Sequence, residues 1–357
     1  MRAPSSQVTG STCLRFKGNE AVRKGIAYCL YCTDLCGGVK VVFEHARHLN
    51  EAGIFAKVLS LTGYPHWLEY QVPFEQVDSW KAAEDYDLVV STYFVLTLEL
   101  WEMPGVRNRL VHFCQGFEGD YREWQPMLDE IDRAYSLPLP IWSVSQSLTG
   151  KLARRYPGAR IYTVGQGYDA GVFCPPLKPP GEPPVRVVLM GPYPVSIKEI
   201  PFGLRVMSEL KGEFGERVET VRISPVDTRE LEAKTYLADT YLWGLRPQEV
   251  AEVLRGSHVL FSPSNNGEGF GLPVLEAMAC GCATCVSGIE SYLSWDSPRD
   301  YALFFTVGGF QEAVEGLSRL VEDRGLRRAL RRRGLQVSKR FSFHGVVDRI
   351  KAFLERY

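Results

Sequence analysis

"EGFGLPVLEAMACG", residues Glu268 to Gly281, carries two glutamates eight positions apart, with Gly269 and Gly271 between them. Pro273 has a fixed φ suited to the first helical position, where a missing N–H costs nothing. Gly281 stands where a helix ends in a C-cap glycine. The spacing predicts a helix from about Pro273 to Cys280, entered from a strand in HVLFSPS (His258–Ser264). A helix start of this kind presents free backbone N–H groups and a partial positive charge. It forms an anion site suited to a diphosphate, and the two glycines let a ligand come close. Glu268 precedes that point and can face a group carried on the phosphate. Glu276 lies inside the helix and can accept hydrogen bonds from vicinal hydroxyls such as a ribose pair. Together they describe a nucleotide-sugar site. The plain alternative is an amphipathic helix with a glycine-rich entry.

Outward from this stretch, strands and helices alternate. KGIAYCLYC (Lys24–Cys32) is an apolar run suited to a buried parallel strand. GGVKVVFEHARHLNEAG follows as loop and helix, with Val39, Val42, Phe43, Ala46 and Leu49 at helical spacing and Gly53 as its stop. FAKVLSL, YDLVVSTY, RLVHFCQG, PIWSVSQ and RIYTVGQG supply further strands. CPPLKPPGEPP (Cys174–Pro184) then places six prolines in eleven residues, which fits a linker and neither helix nor central strand. Beyond it the alternation restarts with VRVVLMG, PFGLRVMSELKGEF, RVETVRIS, RPQEVAEVLRGS, HVLFSPS, CATCVSG and GFQEAVEGLSRLVEDRG. Two such stretches predict an α/β chain of two Rossmann-like, doubly wound domains facing across a cleft. The divisions read as a poorly ordered terminus (1–22), a first domain (23–175), a linker (176–184), a second domain (185–341) and a terminal helix (342–357).

The 357 residues hold 41 Lys plus Arg against 42 Asp plus Glu, so a net charge of −1 gives no field for nucleic acid. No apolar run is long enough for a membrane span, and the first twenty residues have no signal-peptide core. Cys29, Cys32 and Cys36, and Cys280, Cys282 and Cys285, form two clusters in sequence. Their spacings repeat no standard zinc pattern, and small thiols packed in the core of a cytoplasmic protein explain them.

The Glu268–Gly281 string closely resembles the E-x7-E signature of retaining glycosyltransferases with the GT-B fold, in the family numbered four. YLWGLRPQEVAEVLRGSHVLFSPS looks like that family's preceding elements, and FSFHGVVDRIKAFLERY like its terminal helix, which crosses back onto the first domain. GGVKVVFEHARHLNEAG is similar to its glycine loop and first helix, and TVGQGYDAGVFCP to its domain-closing segment. The resemblance implies that Glu268 contacts the donor sugar. It gives the amides of Phe270, Gly271 and Leu272 to sugar hydroxyls and phosphate, and Glu276 to the ribose. Gly38 would admit the diphosphate from across the cleft, and the backbone of Trp243–Arg246 would lie near the base. Metal and cofactor are not expected. The partners are a nucleotide-sugar donor and a hydroxyl acceptor of a glycan, lipid-linked saccharide or small metabolite. A cytoplasmic location follows, with peripheral contact at the inner face of a membrane left open.

Two positions depart from the family pattern. MGPYPVSIKEIPFG has Pro192 where an Arg for the diphosphate is expected, so Lys198 becomes the principal cation. RLVHFCQGFEGDY places Gln115 where many relatives have a sugar-contacting His, and its Q-x-F-E run resembles the rhamnosyltransferase branch. His112 faces the other side of that strand and reads as a core or second-layer residue. The pair Asp85 and Asp87 before LVVST mimics a metal motif but fits a polar turn. In RGLRRALRRRGLQVSKRF, Leu326, Leu330, Val337 and Phe341 share one helical face, which assigns the arginines to a solvated face rather than to lipid or nucleic acid. The loss of an Arg at Pro192 keeps a second reading alive, a catalytically silent homologue that binds a nucleotide-sugar or a partner.

Overall fold

The computed structural model describes residues 25–356; the expected disordered terminus lies outside the described residues. Two parallel sheets organise the chain. The first has seven strands in the order β3-β2-β1-β4-β5-β6-β7: β1 (Ile26–Leu30), β2 (Ala56–Ser60), β3 (Phe74–Gln76), β4 (Leu88–Ser91), β5 (Leu110–Cys114), β6 (Pro140–Ser143) and β7 (Arg160–Thr163). The second has six in the order β10-β9-β8-β11-β12-β13: β8 (Val185–Met190), β9 (Val218–Ser224), β10 (Thr240–Trp243), β11 (Val259–Ser262), β12 (Ala283–Ser287) and β13 (Leu303–Phe305). Every pairing is parallel. This is the two-sheet GT-B arrangement. The central strands are continuous apolar runs because helices cover both faces: β1, IAYCL, is buried at every position. The edge strands β3 and β13 are three residues long, and Glu75 and Gln76 of β3 are exposed, so no apolar run announces β3.

Strand order reverses between β1 and β4 in one sheet and between β8 and β11 in the other. In open parallel sheets, ligands bind outside the carboxyl ends of the strands at such switch points. Gly37 and Gly38 begin the helix that follows β1. The loop with Lys198 leaves β8, and the loop with Glu268 leaves β11.

The helix Gly37–Glu51 is capped by the thiol of Cys36, which accepts from the Val39 N–H at 3.4 Å. Its expected apolar face is buried, but Glu44 and His45 are buried as well. His45 is covered by Phe343 of the terminal helix Phe343–Leu354, which packs on the other side, and Glu44 is held by Arg47 and Tyr70. Phe343 stacks on His48 with ring centroids 4.6 Å apart, and Phe353 meets Trp142 edge-on at 5.3 Å. The helix Arg324–Ser338 corrects the expectation of an all-solvated arginine face. Arg327 is buried and pairs with Glu182 of the proline-rich stretch, and Arg333 and Arg340 both hold Asp296. Asp87 accepts from the Gly25 N–H at 2.9 Å, so it ties a turn down before β4. Among the described residues, no helix is long and apolar enough to cross a membrane.

Candidate active site

The opening motif folds as loop and helix. The helix spans Leu272–Ala279, with Pro273 in its first turn. It begins one residue earlier than expected and ends one earlier, because Gly271 takes the N-cap with φ +94° and Gly281 takes φ +84° just past the end. Both values favour glycine. A Cβ at Gly271 would lie 2.1 Å from the Tyr292 ring, and one at Gly269 would lie 2.1 Å from the carbonyl oxygen of Gln115. Gly269 therefore permits the loop after β11 to touch the loop after β5, across the cleft. Ser145 reaches over in the same way and donates to the Gly269 carbonyl at 2.8 Å.

Glu268 is 9% exposed and has two partners on one oxygen, Oε2. Lys198 Nζ donates at 2.5 Å and Ser264 Oγ at 3.1 Å. The Glu268 carbonyl accepts from Ser291 Oγ. The two residues expected to act on the reacting end of a donor are thus in direct contact. Lys198 ends a short helical turn, and Glu199 after it adopts φ +47°. A non-glycine residue in that region is uncommon. Here it turns the Glu199 carboxylate to Arg122 at 2.7 Å and to Asn265 at 2.9 Å.

Glu276 is 4% exposed, and Lys40 Nζ from the Gly37–Glu51 helix donates to its Oε1. Burial pushes the Glu276 carboxyl above its usual range, and Lys40 opposes that shift. Lys40 is a cation that sequence reasoning missed. It is polar in a helix that reads by its apolar positions, and its partner is 236 residues away. Nearby, Arg47 donates to Glu44 at 2.6 Å and to Asp169 at 2.9 Å, while Tyr70 donates to Glu44 at 2.9 Å. Lys40, Glu44 and Asp169 line a water-sized cavity of about 10 Å³ together with Phe173 and Gln248.

Gln115 Nε2 donates to the Gly38 carbonyl at 3.1 Å. A Cβ on Gly38 would make only ordinary contact with the Gln115 amide, at 3.5 Å, so the protein itself does not require glycine there. The Phe270 side chain turns away from the cleft into an aromatic cluster, 5.3 Å from both Trp295 and Phe341. Phe270 can offer a ligand only its backbone. The N–H groups of Gly271 and Leu272 start the helix and have no carbonyl within it to bind.

Arg222 contacts the loop that carries Pro192, but not as the expected cation. Arg222, below that loop, donates to the Gly191 carbonyl at 2.6 Å but is fully buried against Glu232 at 2.9 Å. It shapes the loop from beneath.

Comparison with known proteins matches residues 227–337 to the family Glycosyl transferases group 1, a span that holds Glu268 and Glu276. No curated protein sequence matches the chain. Among solved structures, it is similar to sucrose-phosphate synthase (tll1590) from Thermosynechococcus elongatus, with a TM-score of 0.73 and 14% identity over 94% of this chain and 99% of that one. It is also similar to Anabaena Alr3699/HepE, solved in complex with UDP-glucose, with a TM-score of 0.74 and 13% identity over 93% of this chain and 99% of that one. WaaG, a glycosyltransferase involved in lipopolysaccharide biosynthesis, gives 0.64 and 14% identity over 91% of this chain and 98% of that one. The group 1 glycosyltransferase match thus covers the Glu268–Gly281 motif and its surroundings, and the chain has the GT-B fold over nearly its whole length.

Proposed function

We propose that the protein transfers a sugar from a nucleoside-diphosphate sugar to a hydroxyl acceptor with retention at the anomeric carbon. The observation that carries this reading is the contact of Lys198 Nζ with Glu268 Oε2 at 2.5 Å, at the mouth of the helix Leu272–Ala279. A leaving diphosphate needs preorganised positive charge. Lys198 supplies it as a side chain, and the amides of Gly271 and Leu272 supply it as a helix start. In this reading Lys198 leaves Glu268 for the phosphate when donor binds, and Glu268 turns to the sugar. Glu276 receives the ribose hydroxyls in place of Lys40. Gln115 binds a sugar hydroxyl but cannot move a proton at neutral pH. The acceptor attacks from the face the diphosphate leaves, and a phosphate oxygen takes its proton.

The complex of the Anabaena relative with UDP-glucose supports a nucleotide-sugar donor. The run Gln115-Gly116-Phe117-Glu118 supports a place in the rhamnosyltransferase-like branch. The test is a panel of nucleotide-sugars followed by thermal shift and by release of nucleoside diphosphate. A ligand at 100 times its dissociation constant stabilises by about 2.7 kcal/mol. Pro192 favours one rival, a silent subunit that binds donor without turning it over. That rival predicts a thermal shift with no diphosphate release under any acceptor mixture.

A further inference from the structure

We propose that His112, Cys114 and Glu118 form a buried zinc-binding site in the first sheet, separate from the donor cleft. The three residues each offer one ligand atom, and these atoms all lie within 4.8 Å of one another. All three side chains are buried. His112 and Cys114 sit two apart on β5 and so point to the same face, and the chain then turns back through the short segment Glu118–Asp120 to bring in the carboxylate.

The hydrogen bonds around His112 leave it prepared as a ligand. Thr97 Oγ1 lies 2.6 Å from Nδ1 and has its own proton directed to the Tyr93 carbonyl at 3.0 Å. With that proton directed to Tyr93, Thr97 accepts from Ser91 and from His112, and Nδ1 carries the ring proton. That leaves a lone pair on Nε2, which is buried without a hydrogen-bond partner. A buried acceptor left unmade is costly, and a metal ion satisfies it. Zinc-bound histidines commonly donate their other ring N–H to a fixed acceptor in this way. The Tyr135 hydroxyl stands on the opposite side, 2.5 Å from Glu118 and 3.0 Å from Cys114. It gives both ligands an outer partner.

One thiolate, one imidazole and one carboxylate suit zinc, with a water as fourth ligand. Ligand atoms around tetrahedral zinc lie roughly 3–4 Å apart, so the three close on the ion by an inward shift of about 1 Å. Binding requires the thiolate, so the Cys114 proton leaves to solvent as zinc enters, and so does any proton on Glu118. The site braces the turn that carries Gln115 and Gly116 to the cleft. Neither cysteine cluster apparent in the sequence takes part.

The experiment treats the full chain with chelator, then titrates it with Co²⁺ in place of Zn²⁺. One equivalent should bind with a thiolate-to-cobalt charge-transfer band and tetrahedral ligand-field absorption, and Zn²⁺ should displace it. Cys114→Ser should abolish the band. Glu118→Gln preserves shape and should weaken Co²⁺ binding tenfold or more, which keeps the idea testable if the serine variant fails to fold. The proposal is overturned if the wild-type chain shows no thiolate band. It is equally overturned if the band keeps full strength in Cys114→Ser, or if Glu118→Gln binds Co²⁺ as tightly as wild type.

Discussion

The two ends of the Glu268–Gly281 motif are held by different halves of the molecule. Glu268 takes its lysine from Lys198, and both belong to loops of the second sheet. Glu276 takes its lysine from Lys40, on a helix of the first sheet. The first pair survives any movement of one half against the other, while the second exists only when the cleft is closed. Other contacts across the cleft accompany the second pair. Glu123 holds the Ser196 hydroxyl at 2.7 Å, Lys151 reaches the Asn266 carbonyl at 2.5 Å, and Arg246 meets Glu69 at 2.9 Å. One motif thus joins a charge pair that is permanent against movement of the two halves, and opened only by donor, to a conditional one. This division assigns chemistry to the Glu268 end and closure to the Glu276 end.

The largest expected effect lies at the permanent pair. Removing one preorganised donor to a developing charge lowers rate on the order of 10²–10³. Lys198→Ala should lower turnover by about that factor, and Lys198→Arg should recover only part of it, since the two cations differ in geometry. Glu268→Gln should lower turnover while leaving nucleoside diphosphate affinity nearly intact. Steady-state rates beside calorimetry check both. Equal losses of binding and rate at Glu268 would reverse the roles given to the two glutamates.

How much of this comparison is legible in the sequence depends on distance along the chain. Glu268, Gly271, Pro273 and Glu276 lie within nine residues, and their spacing alone sets out loop, helix start and facing carboxylates. Lys198 is legible by resemblance, through a pattern from which Pro192 departs. Lys40 is not legible, because nothing near it marks its partner. The same limit hides the cluster at His112, where strand alternation aligns His112 with Cys114 but the return of Glu118 depends on the fold. Arg222 and Arg327 show the converse. Surface-type residues become core residues when Glu232 and Glu182 fold onto them.

A next, smaller effect belongs to the conditional pair. Glu276→Ala should weaken nucleoside diphosphate binding by about 1.5–3 kcal/mol, the scale of a hydrogen bond to a charged group. Lys40→Ala should spare that binding, since the ribose replaces Lys40, but should destabilise the unliganded protein. It leaves a buried carboxylate without its cation. The pH dependence has a definite sign. Glu276 has a folded pKa above its ordinary 4.5, so the folded state holds the proton more tightly. Its contribution favours folding below that value and is lost as pH rises through the folded pKa. Without Lys40 the pKa rises further. The melting-temperature gap between Lys40→Ala and wild type should therefore shrink as pH falls from neutral toward 5. A gap that stays constant on acidification would show that Glu276 is already neutral beside Lys40.

The smallest effect comes from a third ion pair away from the cleft, where Asp296 is partly exposed and its partner Arg340 is exposed. Asp296 accepts from Arg333 at 2.6 Å and also from Arg340, at the rim of an open surface pocket. Arg333 first, then the Ser297 N–H and Arg340, hold its carboxyl down to about 2. For a depressed carboxyl the sign is opposite to that of Glu276. The stabilisation is present above the ordinary value of 3.8 and is lost as pH falls through about 2. Asp296→Asn should lower the melting temperature slightly at neutral pH, with the difference fading in strong acid. High salt should reduce it too, because solvent reaches this network. Salt should act much less on the Lys40 to Glu276 pair, whose side chains are 12% and 6% exposed. Melting curves of Asp296→Asn and Lys40→Ala at low and high ionic strength separate the two. If both respond to salt alike, Lys40 and Glu276 meet in water rather than in a closed cleft, and the assignment of closure to that end of the motif fails.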